Sequence, residues 1–124
     1  MKMKSLLQRY FARLPLDDPE AVATLGEGET PLVLSRALGP RLGLRHLYFK
    51  LEQTNPTGSY KDRFAAMMVS LMRERGQTTC LATSSGNTGA ALCAYAARYR
   101  LICRLYINEE TPQGKIAQIL AYGQ

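Results

Sequence analysis

The later part of the chain alternates between helical and extended patterns, and this alternation constrains the fold more than any other feature. Residues 59–76 run from a serine to a glycine, and they carry an apolar face at helical spacing made of Phe64, Met67, Met68, Leu71 and Met72. The apolar run Thr79–Thr83 is typical of a strand, and an alanine-rich helix is predicted from about residue 89 to residue 99. Residues 101–107 are the next predicted strand. This order predicts an α/β fold with a parallel sheet and flanking helices.

Residues that are typical of helix starts predict where two of the helices begin. Ser59 is followed three residues later by Asp62, and this S-x-x-D arrangement predicts a capped helix start. Thr111 is predicted to cap a last helix with Pro112 at its first position, and the buried face of that helix comprises Ile116, Ile119 and Leu120. Because a crossover helix of a parallel sheet leads to another strand, we expect the sheet to be incomplete and the chain to be truncated.

The first part of the chain is less regular. An amphipathic first helix is predicted before a break between Pro15 and Pro19, and short strands are predicted at Leu32–Leu34 and at residues 46–51. We expect residues 1–51 to contribute to a large domain that is absent. Residues 52–124 are expected to form an incomplete small α/β domain.

Composition excludes several classes of protein. Hydrophobic residues make up 46% and charged residues 21%, which is ordinary for a soluble globular protein. No apolar run approaches the roughly 20 residues that cross a bilayer. The net charge of +6 is spread along the chain and accompanies no nucleic-acid-binding motif. We therefore expect a cytoplasmic protein with a small-molecule partner, without a nucleic-acid or membrane partner.

The cysteines and the histidine predict no metal site. Cys80, Cys93 and Cys103 are widely spaced and contain no C-x-x-C pair, which favours buried thiols in a reducing compartment over disulfides or zinc. His46 has no nearby ligand set and is interpreted as structural.

Lys61 is the first candidate for chemistry. It lies in the first turn of its predicted helix, directly after the turn-forming residues 52–58. The positive end of a helix disfavours an ammonium group, and a neutral amine is the form that makes a Schiff base. Position alone favours an exposed first-turn residue, so that interpretation stays open.

The segment Ser84-Ser85-Gly86-Asn87-Thr88-Gly89 is the second candidate. It lies between a predicted strand and a predicted helix, where hydroxyl and backbone N–H groups converge on a positive helix end and favour an anion. The GxGxxG and GxxxxGK[ST] fingerprints are absent, so a carboxylate or a small phosphate ester fits better than a dinucleotide. An ordinary polar loop remains an alternative, whereas a serine hydrolase is disfavoured because G-x-S-x-G is absent.

Four segments in order carry a resemblance to a known family: GEGETPL at 26–32, NPTGSYKDR at 55–63, SSGNTGAALCAYAA at 84–97 and PQGKIAQILAYG at 112–123. Together they resemble the threonine synthases, which are fold-type II pyridoxal-phosphate enzymes with a tryptophan synthase beta-like fold. The resemblance covers nearly the whole chain. GEGETPL and PQGKIAQ favour threonine synthase over its sister enzymes.

The resemblance implies roles for five residues. Lys61 would carry the pyridoxal 5'-phosphate in a Schiff base and move protons on the substrate, and Asn87 would hydrogen-bond the 3'-hydroxyl of the cofactor. The substrate's carboxylate or phosphate would be held by Ser84, Ser85 and Thr88. The implied reaction converts O-phosphohomoserine and water to threonine and phosphate.

Departures from the family pattern limit these expectations. Tyr60 stands where the family usually has phenylalanine, and Gln124 stands where a small residue is usual. The family's phosphate-binding loop and the partner of its pyridine nitrogen lie in a second half that is absent here. We therefore expect little or no activity from this chain alone; a homodimer is one assembly that the resemblance allows for the full-length enzyme.

Two alternatives stay open. The chain can be a non-catalytic remnant or binding module that keeps the fold, or it can belong to a sister enzyme such as a threonine dehydratase or a cysteine synthase.

Overall fold

The structure is a computed structural model that describes residues 5–123. The early part of the chain forms short elements: helix α1 (Leu6–Tyr10), strand β1 (Leu32–Leu34), helix α2 (Leu38–Arg41), strand β2 (Tyr48–Lys50) and 3-10 turns at Phe11–Arg13, Pro19–Ala21 and Glu52–Thr54. The later part forms longer elements: α3 (Lys61–Glu74), β3 (Thr79–Thr83), α4 (Asn87–Arg98), β4 (Ile102–Tyr106) and α5 (Gln113–Ala121). None of the helices within residues 5–123 has the length and apolar character of a bilayer-spanning segment.

Strands β3 and β4 confirm the predicted parallel sheet. They pair in register from Thr79 opposite Ile102 to Thr83 opposite Tyr106, and α4 is the crossover between them. Strands β1 and β2 form a separate antiparallel pair, with Leu32 opposite Lys50. The α/β class is therefore confirmed, with an additional antiparallel pair that the sequence did not indicate.

Chain direction places three helix starts at one edge of the parallel sheet. Helix α3 ends in a Schellman motif: Gly76 has φ +64°, the Gly76 N–H donates to Arg73 O (3.1 Å) and the Gln77 N–H donates to Met72 O (2.8 Å). The chain then reverses into β3, and it reverses again at each later connection. The first residues of α3, α4 and α5 consequently lie at the edge where β3 and β4 end.

The core is formed where α3 packs on α4. Ala65 and Ala66 of α3 and Ala90 and Ala91 of α4 are fully buried. Residues from the start of the chain join the same cluster, namely Leu7, Leu16, Val22 and Ala23. The division into a large and a small domain stays a prediction.

Ser59 contributes to the start of α3, because its hydroxyl oxygen accepts from the Lys61 N–H (3.2 Å), but the predicted roles of Asp62 and Thr111 in capping are wrong. The residue before α3 is Tyr60, and the Asp62 carboxylate turns back to accept from the N–H of Thr57 (3.1 Å) and from its hydroxyl (2.7 Å). Asp62 is completely buried, and a buried carboxylate is costly without hydrogen-bond donors. Its side chain therefore binds Thr57 instead of capping the start of α3. The Thr111 hydroxyl donates to the carbonyl of the preceding turn, and Pro112 is the cap of α5 instead of its first residue.

The thiols of Cys93 and Cys103 confirm the expectation of buried cysteines. Cys93 is 0% and Cys103 is 5% exposed, and their sulfurs lie 3.8 Å apart between α4 and β4. Cys80 is half-buried beside Cys103 on the neighbouring strand. His46 is exposed.

Gly89 is required by the close packing of the first turn of α4. A Cβ atom there would lie 2.7 Å from the Ser84 backbone oxygen and 2.9 Å from Leu105 Cδ1. The leucine can move, but the carbonyl is fixed by the loop.

We expect Gly89→Ala to lower the free energy of unfolding by about 1–3 kcal/mol, because the added methyl group overpacks a fixed backbone. Urea denaturation measures the change. Gly86→Ala is the matched control, since a Cβ at Gly86 meets no atom within 4 Å. Equal effects of the two substitutions would contradict this account.

A bidentate ion pair ties the turn after β2 to α3. The Arg63 guanidinium donates to both carboxylate oxygens of Glu52 (2.9 and 2.8 Å) and to Gly28 O (2.9 Å). Glu52 also accepts from the Thr30 hydroxyl (2.8 Å) and from the Asn55 amide (3.0 Å). The hydrogen bond from Arg63 is the main reason that the pKa of Glu52 falls from 4.5 to about 2.

This shift predicts the pH range in which stability is lost. Between pH 2 and pH 4.5 the unfolded chain binds the proton at Glu52 and the folded chain does not, so stability is complete above pH 4.5 and falls as the pH approaches 2. Glu52→Gln should flatten that part of the stability curve and lower the neutral-pH free energy of unfolding by about 2 kcal/mol. Denaturant titrations at several pH values test this, with the exposed Glu109→Gln as control. An unchanged pH slope in Glu52→Gln would refute it.

Candidate active site

The candidate site lies at the edge where β3 and β4 end. In open parallel sheets, ligands bind outside the carboxyl ends of the strands. Here the loop after β3 leads into α4, and the loop after β4 leads into α5. The starts of these helices and of α3 supply the polar groups described below.

Lys61 is the first residue of α3 and is half-buried. Its Nζ lies 4.7 Å from the centre of the Tyr60 ring. Among residues 5–123, the Lys61 amine makes no hydrogen bond and no ion pair. An amine held beside a ring and without a polar partner is available to a ligand.

The side chain of Ser84, the first residue of the loop 84–89, accepts hydrogen bonds from N–H groups within the same loop. The Ser84 hydroxyl oxygen accepts from the Gly89 N–H (3.0 Å) and more weakly from the Gly86 N–H (3.5 Å). The backbone N–H groups of Asn87 and Thr88 have no hydrogen-bond partner within the described part of the chain. Ser85 and Asn87 are exposed, and Thr88 is half-buried. The start of α4 therefore presents unpaired donors at its positive end, as an anion requires.

A buried carboxylate holds the loop of the GEGETPL segment against α4. Glu27 is 1% exposed, and its Oε2 accepts from the hydroxyls of Tyr95 (2.8 Å) and Thr24 (2.9 Å). Burial and the nearby Glu27 charge raise the pKa of Tyr95, so the phenol stays protonated and donates. Gly28, in the same segment, donates its N–H to Asn55 Oδ1 (3.1 Å), which places this loop behind the start of α3.

Helix α5 connects the two sets of candidate residues. The Lys115 ammonium donates to Asn87 Oδ1 and to Gln118 Oε1 (3.0 Å). The Gln118 amide donates to Thr57 O (3.2 Å), four residues before Lys61. A continuous path of hydrogen bonds thus runs from Asn87 to the turn that precedes Lys61.

Sequence reasoning missed Lys115 and Gln118 as site residues. Both belong to the PQGKIAQ segment, which was used only for the resemblance. The available signal was a lysine in the first turn of a helix, where the helix dipole disfavours a positive charge. The functional roles of Lys61, Asn87, Ser84, Ser85 and Thr88 stay predictions.

Comparison with known proteins identifies relatives along most of the chain. Residues 23–124 match the family described as pyridoxal-phosphate dependent enzyme. The threonine synthase of Halalkalibacterium halodurans is 43% identical over 97% of this chain and 34% of its own length. The threonine synthase of Methanocaldococcus jannaschii is 40% identical over 93% of this chain and 29% of its own length. The chain spans about a third of the length of these curated relatives.

Solved structures agree with this result. A pyridoxal 5'-phosphate-dependent aspartate racemase matches with a TM-score of 0.68 and 33% identity, over 76% of this chain and 30% of the racemase. The processed form of threonine deaminase isoform 2 from Solanum lycopersicum matches with a TM-score of 0.67 and 32% identity, over 77% of this chain and 26% of the deaminase. From its sequence match and its fold, the chain belongs to the family of pyridoxal-phosphate dependent enzymes.

Proposed function

We propose that this chain is the part of a threonine synthase-like enzyme that bears the cofactor lysine. The proposed reaction converts O-phosphohomoserine and water to threonine and phosphate. The observation that carries the proposal is an amine without a polar partner, Lys61, at the same sheet edge as the exposed amide of Asn87 and the unpaired N–H groups of α4. The similarity to threonine synthases over nearly the whole chain supports this reaction over others of the family.

The residues present fit pyridoxal phosphate. The cofactor carries an aldehyde, for which an available amine is the partner, and a phenolic oxygen, for which an amide N–H₂ is a donor. Lys61 provides the first group. Asn87 provides the second, because its Oδ1 is engaged by Lys115 while its Nδ2 has no partner among the described residues.

In the proposed mechanism, the Lys61 amine would hold the cofactor at its aldehyde group and would move protons at the reacting carbons of the substrate. When bound, the cofactor supplies an electron sink for negative charge that develops next to the substrate amine. Asn87 would orient the cofactor by donating a hydrogen bond to its phenolic oxygen. Half-burial of Lys61 against the Tyr60 ring limits the positions that its amine can take.

The loop 84–89 is proposed to hold the anionic groups of the substrate. Ser85 and Thr88 would donate their hydroxyl protons, together with the N–H groups of Asn87 and Thr88. The oxygen of Ser84 already accepts from two loop N–H groups, so Ser84 is left with its hydroxyl proton as a donor. This division of roles suits a carboxylate or a phosphate, which only accepts hydrogen bonds.

A sister activity is the second candidate. The fold is also similar to that of a threonine deaminase, and the groups at the site match any pyridoxal-phosphate enzyme that handles an amino acid. Product analysis with O-phosphohomoserine, threonine and O-acetylserine would separate these activities. Because the chain spans about a third of its relatives, we propose that it has little or no activity by itself.

Borohydride reduction tests the assignment of Lys61. The chain is incubated with pyridoxal phosphate, reduced and mapped by peptide mass, both alone and with the remaining two thirds of a threonine synthase relative supplied. We expect the adduct at Lys61, its loss in Lys61→Ala, and its retention in Lys50→Arg, because the Lys50 amine is already engaged by the backbone oxygen of Thr30. An adduct spread over other amines, or none at Lys61 in either preparation, would overturn the proposal.

A further inference from the structure

Lys115 occupies an unfavourable place for a lysine. It is the third residue of α5 and is half-buried, close to the positive end of that helix. The dipole of α5 disfavours a cation in its first turn, so helix stability does not account for this residue. Its ammonium group instead donates hydrogen bonds to two side-chain oxygens, Asn87 Oδ1 and Gln118 Oε1.

The contact with Lys115 determines which way the Asn87 amide faces. An amide can be turned over so that its oxygen and nitrogen exchange places, but an ammonium group has only donors. If Nδ2 faced Lys115, two donors would oppose each other. Oδ1 must therefore face the lysine, and Nδ2 must point away from it as a free pair of N–H donors.

The same reasoning applies to Gln118. Its Oε1 accepts from Lys115, which leaves its Nε2 as the donor to Thr57 O at 3.2 Å. Thr57 is held from its other side by Asp62, which accepts from the N–H and hydroxyl of Thr57. Asp62 follows Lys61 directly, so one ammonium group sets the orientation of two amides on the path from Asn87 to the start of α3.

We propose that Lys115 is a positioning residue, which fixes the Asn87 amide as a donor toward the cofactor and ties it through Gln118 to the turn before Lys61. Its effect on cofactor binding rests on the proposed function. The effect of Lys115 on the orientation of Asn87 is independent of the proposed function, because that orientation follows from the contacts of the chain alone. The charge also strengthens Asn87 as a donor, since a cation bound at Oδ1 draws electron density from the amide nitrogen.

Nitrogen-15 relaxation of the Asn87 side-chain amide tests the positioning directly on the full chain. We expect an order parameter near the value of about 0.85 that marks rigid groups, and a fall below about 0.6 in Lys115→Met. Lys115→Arg keeps the charge and the donors and should retain most of the order. Arg36→Met, which removes an exposed positive charge elsewhere, is the control for net charge and should change nothing. An Asn87 amide that stays equally rigid in Lys115→Met overturns the proposal.

Titration with pyridoxal phosphate, on the chain supplied with the remaining two thirds of a threonine synthase relative, tests the consequence for the cofactor. Lys115→Met should raise the dissociation constant about tenfold, as loss of an outer partner of a site commonly does. In the Asn87→Ala background the same substitution should add nothing, because Lys115 acts through Asn87. A further loss in the double variant would mean that Lys115 contacts the ligand itself, and it would overturn the positioning role.

The titration tests the proposed function, and the relaxation measurement tests the inference independently of it. If the chain with all residues intact fails to bind pyridoxal phosphate even when the remaining two thirds of a threonine synthase relative is supplied, the proposed function fails. The relaxation measurement still decides whether Lys115 orders Asn87.

Discussion

The packing of α3 on α4 through alanine is the contact on which the rest of the structure depends. Ala65, Ala66, Ala90 and Ala91 are fully buried, and their small side chains allow the two helices to approach closely. Both helices run in the same direction relative to the parallel sheet, so this contact brings their first residues to one edge. A larger side chain at any of these positions would separate Lys61 from the start of α4.

Short polar links then fix the loops around those helix starts. Asp62 is completely buried and holds the turn before Lys61, while Arg63 binds Glu52 in the segment before α3. Lys115 extends the same network to Asn87. Asp62 and Thr57 are buried, and buried polar groups are costly unless every partner is present, so this part of the network permits few alternative arrangements of the turn before Lys61. We infer that the helices set the position of the site and that the polar links set its detailed geometry.

The sequence was sufficient for the parts of the fold that have long, regular patterns. The apolar face of α3 repeats over several turns, and the runs that became β3 and β4 are bounded by turn residues, so both kinds of element were predicted within a few residues of their observed limits. The pairing of β1 with β2 was not predicted, because three-residue strands carry no usable period. The role of Asp62 at the start of α3 was predicted wrongly, because its position fits a local motif but its buried carboxylate binds Thr57 instead. The contact between Lys115 and Asn87 joins residues that are 28 positions apart, and no local pattern encodes it.

The central claim is that the start of α4 and the turn before Lys61 meet across α5, and a nuclear Overhauser spectrum of the folded chain tests it most directly. We predict cross-peaks from the Gln118 side-chain amide to protons of Thr57 and Gly58, together with cross-peaks from the Lys115 side chain to the Asn87 amide. If the Gln118 and Lys115 signals connected only to residues of α5, the two candidate regions would not share a site, and this account of the chain would be contradicted.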